Sequence, residues 1–234
     1  MKYNIIASGS TGNGTIINDH ILIDCGISFK ALKPFVKDLD LILLTHIHSD
    51  HFKPSTLQEL HRRRPTLRFG CGRWLVEQLI YIGIPARNID VMEPGYDYLY
   101  ADGAYIVQQF KLVHNVPNCG YLITEGEERV FYATDTGSLD GVQAHGCDLY
   151  LIEANHSEAE IQERIREKLA AGEYSYEAAA AVNHLSREKA YEWLSRNMWP
   201  NSKYLFMHQH VDREVRQDGS GENAQGINPH IEDG

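Results

Sequence analysis

The chain has 234 residues, 43% of them hydrophobic and 23% charged, which is enough for one large domain with a buried core in an ordinary globular balance. No stretch approaches the roughly 20 apolar residues of a membrane span, and the start MKYNIIASGSTGNG lacks an apolar segment before a small-residue cleavage site, so a cytoplasmic location is expected. The net charge of −10 argues at first against a polyanionic partner, but −4 of it falls in residues 211–234, so charge decides little.

In chain order, YNIIAS (3–8), TIIN (15–18) and HILIDCG (20–26) read as short strands, with a hairpin turn at Asn18–Asp19. ISFKALKPFVKDL (27–39) has helical apolar spacing, with Ser28 as a cap and Pro34 as an interruption. The aliphatic run Leu41-Ile42-Leu43-Leu44 predicts a strand buried on both faces. A helix follows from Pro54, which a first turn accepts, to the basic run HRRR at 61–64. TLRFG (66–70) reads as strand, RWLVEQLIYIG (73–83) as amphipathic helix and IDVME (89–93) as strand. Residues 97–134 are nearly all strand, with turns at Asp102-Gly103 and Glu125-Gly126.

DLYLIEAN (148–155) is a further buried strand, and KYLFMH (203–208) is the last. Between them lie two helices, 157–170 with a Ser157-x-x-Glu160 capping box and 186–198 with Ser186 as cap. Residues 211–234 have turn formers and no apolar period, which predicts a disordered tail after a domain of residues 1–210. Strands and helices in both halves suggest helices outside a two-sheet core. Cys25, Cys71, Cys119 and Cys147 are widely spaced without a C-x-x-C pair, which fits small buried reduced thiols.

Directly behind the aliphatic run, THIHSDH (45–51) packs three histidines and an aspartate at a strand's C-terminal end, where open α/β sheets bind ligands. In an extended chain His46 and His48 point to one side and can share a metal ion. Asp50 and His51 follow as the chain turns and aim elsewhere. Imidazole nitrogen and carboxylate oxygen suit Zn²⁺, and tolerably Mn²⁺ or Fe²⁺.

This pattern resembles the metallo-β-lactamase superfamily through most of the chain. The resemblance implies a four-layer αββα sandwich (α/β) holding two divalent metal ions, Zn²⁺ or Mn²⁺. It implies His46, His48 and His114 on the first metal, Asp135 of YATDTG bridging, and Asp50, His51 and a C-terminal histidine on the second. Asp24 of ILIDCG matches the aspartate that orients the histidine loop, and Asp50 belongs to both metal and catalytic sets. By the pattern of the family's phosphodiesterase branches, His208 is the last ligand and His184 of VNHLS the proton donor; His210 of HQH is the fallback for His208.

ASGSTGN, FYATDTG and EANHS together resemble the YycJ/WalJ-like branch, for which a DNA exonuclease activity is proposed. Glu153 of that last element can bond to His184, or be a packed polar residue at a strand end. His20, His61, His145 and His230 have no motif context and read as surface residues. Arg62, Arg63 and Arg64, with Arg73 nearby, offer cations to a phosphate backbone or simply favour a helix C-terminus. Tyr174 and Tyr176 could flank the mouth.

The expected function is a binuclear metal-dependent hydrolase, a phosphodiesterase acting on nucleic acid (nuclease, DNA exonuclease). The alternatives are hydrolysis of a cyclic nucleotide or other small phosphodiester, lactone or thioester hydrolysis, and a non-catalytic metal-bound binding module, because one fold hosts many chemistries.

Overall fold

Alternation along single strands builds the layers. Residues 1–209 are described by a computed structural model; the tail at 211–234, His210 and His230 lie outside the described residues. One sheet runs in the order β1 (Tyr3–Ala7), β2 (Gly14–Ile17), β3 (Ile21–Ile23), β4 (Leu41–Leu44), β5 (Arg68–Gly72) and β6 (Ile89–Met92). The other holds β7 (Asp97–Tyr100), β8 (Tyr105–Leu112), β9 (Asn118–Glu125), β10 (Glu128–Ala133), β11 (Leu149–Glu153) and β12 (Lys203–Met207), also as spatial neighbours in sequence order. Within β4, Leu41 and Leu43 enter a core shared by the two sheets, where they join Tyr121, Tyr132 and Leu151. Ile42 and Leu44 face the other way, into helices α1 (Phe29–Leu32), α2 (Pro54–Arg63) and α3 (Val76–Tyr81).

The second sheet repeats the division. Val130 and Tyr132 of β10 enter the shared core, while Phe131 and Ala133 meet a third cluster. That cluster contains Trp193 and Leu194. They belong to the last of the helices α4 (Glu158–Ala170), α5 (Tyr176–Asn183) and α6 (Arg187–Asn197). Period-two burial on both sheets gives the expected αββα sandwich. Among the described residues no helix is long and apolar enough to cross a membrane.

Strand direction decides where the chemistry gathers. β3 through β6 are parallel, as are β10, β11 and β12, and β8 runs the same way as β10 because each is antiparallel to β9. Asp24, His46, His114, Asp135, Glu153 and His208 therefore all sit at or just beyond strand C-termini, on a common rim.

Several local expectations need correction. The Asn18–Asp19 turn does form, both residues with positive φ as a type I′ hairpin requires. The helix expected over 27–39 shrinks to Phe29–Leu32 and continues as turns, and Ser28 makes no side-chain cap bond. Pro34 lacks the N–H that would extend it. The 73–83 helix opens with a 3₁₀ turn at Arg73–Leu75. Ser157 does not close its capping box, because its Oγ turns to Glu188 Oε1 at 3.1 Å. Ser186 does cap, accepting from the Lys189 amide at 3.1 Å.

Read in chain order, the sequence places no helix at α5. None of its residues is buried, so EAAAAVN carries no apolar period to read. His20 is not a surface residue: its ring is mostly covered and its Nδ1 lies 2.6 Å from the Asn18 carbonyl. His61 is also only partly exposed, edge-on to Phe69 at 6.2 Å. The four cysteines are free and buried, as expected.

Gly26 sets how closely β3's exit approaches the histidine loop. A Cβ there would lie 1.7 Å from the Asp50 carbonyl oxygen, so the two backbones must part to admit it. Gly26→Ala is expected to destabilise the fold by about 1–3 kcal/mol and to weaken metal retention. Thermal unfolding and metal content measure both, and an unchanged midpoint would contradict this account of the contact.

Candidate metal centre

The centre is built outward from a carboxylate without solvent exposure. Asp24 follows β3 with φ +59° and receives Thr45, the residue after β4, through its amide at 3.0 Å and its hydroxyl at 2.9 Å. Its other oxygen accepts from His51 Nδ1 at 2.7 Å and from the Tyr132 hydroxyl at 3.3 Å. Thr45 has one proton to give and gives it to Asp24. His46 Nδ1, 2.9 Å from the same hydroxyl, must then donate, which leaves His46 Nε2 bare. The Asp24 contact likewise makes His51 Nδ1 the donor and Nε2 the acceptor.

Two groups of ligand atoms follow, each with all atoms within 4.8 Å: His46, His48 and His114, and beside them Asp50, His51 and His208. In the first, His48 Nδ1 lies 3.1 Å from His46 Nε2 and 3.4 Å from His114 Nε2. His114 Nδ1 donates to the Asn183 carbonyl at 3.1 Å, so its Nε2 is bare as well. Asp135 lies between the groups, 2.9 Å from His51 Nε2 through Oδ2 and 3.5 Å from His208 Nε2 through Oδ1. It also falls within one cluster with His46 and His51. The expected metal residues thus converge.

Their unmet valences match a cation. Asp135 Oδ2 and His208 Nε2 are buried and make no hydrogen bond of acceptable geometry. Burial opposes charge on His208, but Asp50, Glu153 and Asp135 outweigh it and push its pKa up to about 10. His51 is raised well above the usual histidine value against its own burial, chiefly by Asp24 and Asp135. Asp135 is held well below the carboxylate range despite burial, chiefly by the close His51 ring and also by His208 and His46. In contrast, burial and the neighbouring His51 lower His46 to about 2. A largely buried centre in which carboxylates shift His51 and His208 upward calls for positive charge, and divalent ions on these N and O donors supply it.

Glu153, fully buried at the end of β11, organises the other side. Its Oε1 lies 2.6 Å from His184 Nδ1 and 3.2 Å from His208 Nδ1; Oε2 accepts from the Thr136 and Leu185 amides at 3.0 and 3.1 Å. The sequence suggested the His184 bond but not that one carboxylate aligns both rings, which stack at 5.3 Å. His184 is raised above the usual histidine pKa, its burial being overcome by Glu153.

Asn13 was missed. Its amide nitrogen lies 2.8 Å from His51 Nε2 and 3.2 Å from the Asp50 carbonyl, and its backbone N–H donates to that carbonyl at 2.7 Å. Ser8, at the start of the same loop, accepts from the His208 amide at 2.8 Å. The glycine-flanked ASGSTGN motif was the only signal for this loop, and it does not tell which distant segment the loop docks on.

The basic run stands apart. Arg62 and Arg63 both bond to Glu59, and Arg64 to the Lys37 carbonyl and Asp40, all near the C-terminal end of α2. Tyr174 and Tyr176 are exposed, ring centroids 4.8 Å apart.

The family model for a β-lactamase superfamily domain matches residues 19–209. The exodeoxyribonuclease WalJ of Streptococcus pneumoniae serotype 2 is 27% identical, covering 91% of this chain and 82% of that protein. The exodeoxyribonuclease YycJ of Bacillus anthracis is 24% identical, covering 93% and 85%. Among solved structures, the metallo-β-lactamase fold protein YhfI from Bacillus subtilis superposes with a TM-score of 0.67 at 17% identity, over 90% of this chain and 87% of that one.

Glu153→Gln keeps the size of the side chain but removes the charge that holds two histidine rings. It is expected to weaken metal binding about 10–100-fold, the usual cost of losing a ligand's supporting partner. Competition against a chelator measures this, and wild-type affinity in the variant would mean Glu153 does not orient His208.

Proposed function

The chain belongs to the metallo-β-lactamase superfamily, and from that premise we propose that it is a metal-dependent phosphodiesterase acting on DNA, an exodeoxyribonuclease of the YycJ/WalJ-like branch. The observation that carries this reading is Asp135 between two histidine-rich donor groups, with His184 beside them on Glu153. Two curated relatives named exodeoxyribonuclease, matched over most of their length, support the choice of substrate. The four buried free cysteines are in keeping with a cytoplasmic setting.

His46, His48, His114 and Asp135 would hold one ion, and Asp135, Asp50, His51 and His208 the other. The nitrogen-rich donor set favours Zn²⁺, with Mn²⁺ as the second choice. Bound divalent ions supply Lewis acidity for a phosphoryl oxygen and bring the pKa of water toward neutrality. The chain's own residues do the rest. Asp24 and Asn13 fix the histidine loop, and Glu153 fixes the ring of His184 through Nδ1. His184 Nε2 is then the nitrogen available to protonate a leaving alkoxide, and the Glu153 carboxylate at Nδ1 favours the protonated ring.

Arg62, Arg63 and Arg64 are candidates for contact with a phosphate backbone beyond the scissile bond. They lie at the C-terminal end of α2, about two and a half turns from its start at Pro54 just after the histidine loop, where a polynucleotide running past the centre could reach them. A second reading, hydrolysis of a small phosphodiester, is favoured by the engagement of Arg62 and Arg63 with Glu59.

His208→Ala is expected to lose metal, whereas His184→Ala keeps both ions and loses about 10²–10⁴-fold in turnover. The His184→Ala loss should shrink with a p-nitrophenolate leaving group, which needs no proton. Metal stripped from the His184 variant with the His208 variant fully loaded would reverse the two roles.

For the basic run, replacing Arg62, Arg63 and Arg64 together by Ala should raise KM for duplex DNA and flatten the salt dependence of binding. An unchanged salt slope assigns them to the helix end alone.

A further inference from the structure

Beside the metal centre, a cavity of about 170 Å³ opens between α4, α5 and the strand exit after β11. It is too small for a drug-sized ligand, whose pockets run to roughly 300–1,000 Å³, and fits one moiety of a larger molecule. Its wall includes Asn155, His156, Arg164, Tyr176, Ala180 and Arg187. The centre and the cavity are joined through Asn155, whose amide donates to the His208 carbonyl at 2.8 Å.

The helix α5 gives the cavity a direction. Tyr176 and Ala180 are four residues apart on one face, and His184, whose amide bonds to the Ala180 carbonyl at 3.0 Å, ends that line. Each step of four residues advances about 6 Å, the scale of one nucleotide step. The cavity therefore begins about one such step from His184, the residue that would protonate the leaving group.

Its chemistry is divided. Arg187 is exposed and makes no salt bridge among the described residues, so its guanidinium is available to an anion. Arg164 is half-buried in the same wall. Glu177, an acid of the lining, is engaged by Lys168 at 2.6 Å and does not oppose them; Glu160 is the remaining acid. His156 is a neutral ring, its pKa lowered by burial, and its buried Nδ1 lacks a partner among the described residues. At the far rim the Tyr176 ring is three-quarters exposed and held edge-on by Tyr174.

We infer that this cavity is a subsite for the nucleotide on the leaving-group side of the scissile phosphate, with its phosphate on Arg187 and its base against Tyr176. The choice of ligand rests on the nuclease reading, since exposed aromatics beside cations are how proteins hold single-stranded ends without reading sequence.

The test uses the metal-loaded full chain with two probes, deoxyadenosine 5′-monophosphate and inorganic phosphate, and calorimetric binding as the readout. Phosphate reports what the metal ions and Arg187 together offer an anion; the nucleotide also reports the base against Tyr176. The nucleotide should bind at least about fivefold tighter than phosphate, and Tyr176→Ala should erase that preference. Arg187→Ala should weaken the nucleotide about fivefold or more and raise KM for DNA with kcat within twofold. Lys203→Ala, an exposed cation at the end of β12 opposite His208, should change nothing. Both substituted residues are exposed, and far-ultraviolet circular dichroism checks that the variants fold.

Equal affinity for the two probes, or a preference that survives both substitutions, overturns the subsite. Should the nucleotide bind with the expected dependence while DNA is not hydrolysed, the nuclease reading fails and the subsite stands. DNA hydrolysis without any Tyr176 or Arg187 dependence removes the subsite and leaves the nuclease reading in place.

Discussion

The metal centre depends on one buried carboxylate. Asp24 has no solvent contact, and its two oxygens meet four donors: the Thr45 amide and hydroxyl, His51 Nδ1 and the Tyr132 hydroxyl. These groups come from the end of β4, the histidine loop and the opposite sheet, so one side chain joins both halves of the sandwich. Removing a partner from such a buried charge costs about 3–5 kcal/mol. That penalty makes the arrangement all-or-none. The same bonds select the proton positions on His46 and His51 and so turn their remaining nitrogens toward the ligand groups.

The backbone contributes through an uncommon conformation used three times. Asp24, Asp135 and His208 all carry φ between +50° and +59°, each within two residues of a strand's end. Non-glycine residues enter this region only when their surroundings compensate, and such residues gather at functional sites. Here the sharp departure from the strand lets a side chain at the sheet's rim turn back over the seam between the sheets. Hydrogen bonds from neighbouring segments hold it there: Leu43 O for the Asp24 amide, Ser8 Oγ for the His208 amide.

Charge balance links the centre to its support. Asp24, Asp50, Asp135 and Glu153 surround histidines that are mostly buried, and the carboxylates win over burial at His51 and His208 while losing at His46. The difference is positional. His46 faces other imidazoles and a hydroxyl, whereas His51 and His208 each contact carboxylates through both ring nitrogens. The side of the centre nearest β12 is therefore the more anionic. It is also the side on which His184, the α5 face and the adjoining cavity lie.

The sequence alone determined whatever is encoded locally. The strand Leu41–Leu44 buried on both faces, the Asn18–Asp19 turn, and the H-x-H-x-D-H spacing are all properties of a few adjacent residues, and each stands in the structure as read. His114, Asp135 and His208 were named only through the resemblance of their motifs to the metallo-β-lactamase superfamily, and each lies within two residues of a strand's end in the structure. Only the tertiary structure could decide that Asn13 meets His51, 38 positions away, or that Glu153 aligns two histidines rather than one. It also decided that α5 exists, since a helix with no buried side chain has no periodicity to reveal it and is held by its Ser175 cap and its neighbours. Ligand type and spacing follow from neighbours in the chain. The partners that fix a proton's position or a ring's angle come from strands brought side by side, and no local pattern encodes which strands those are.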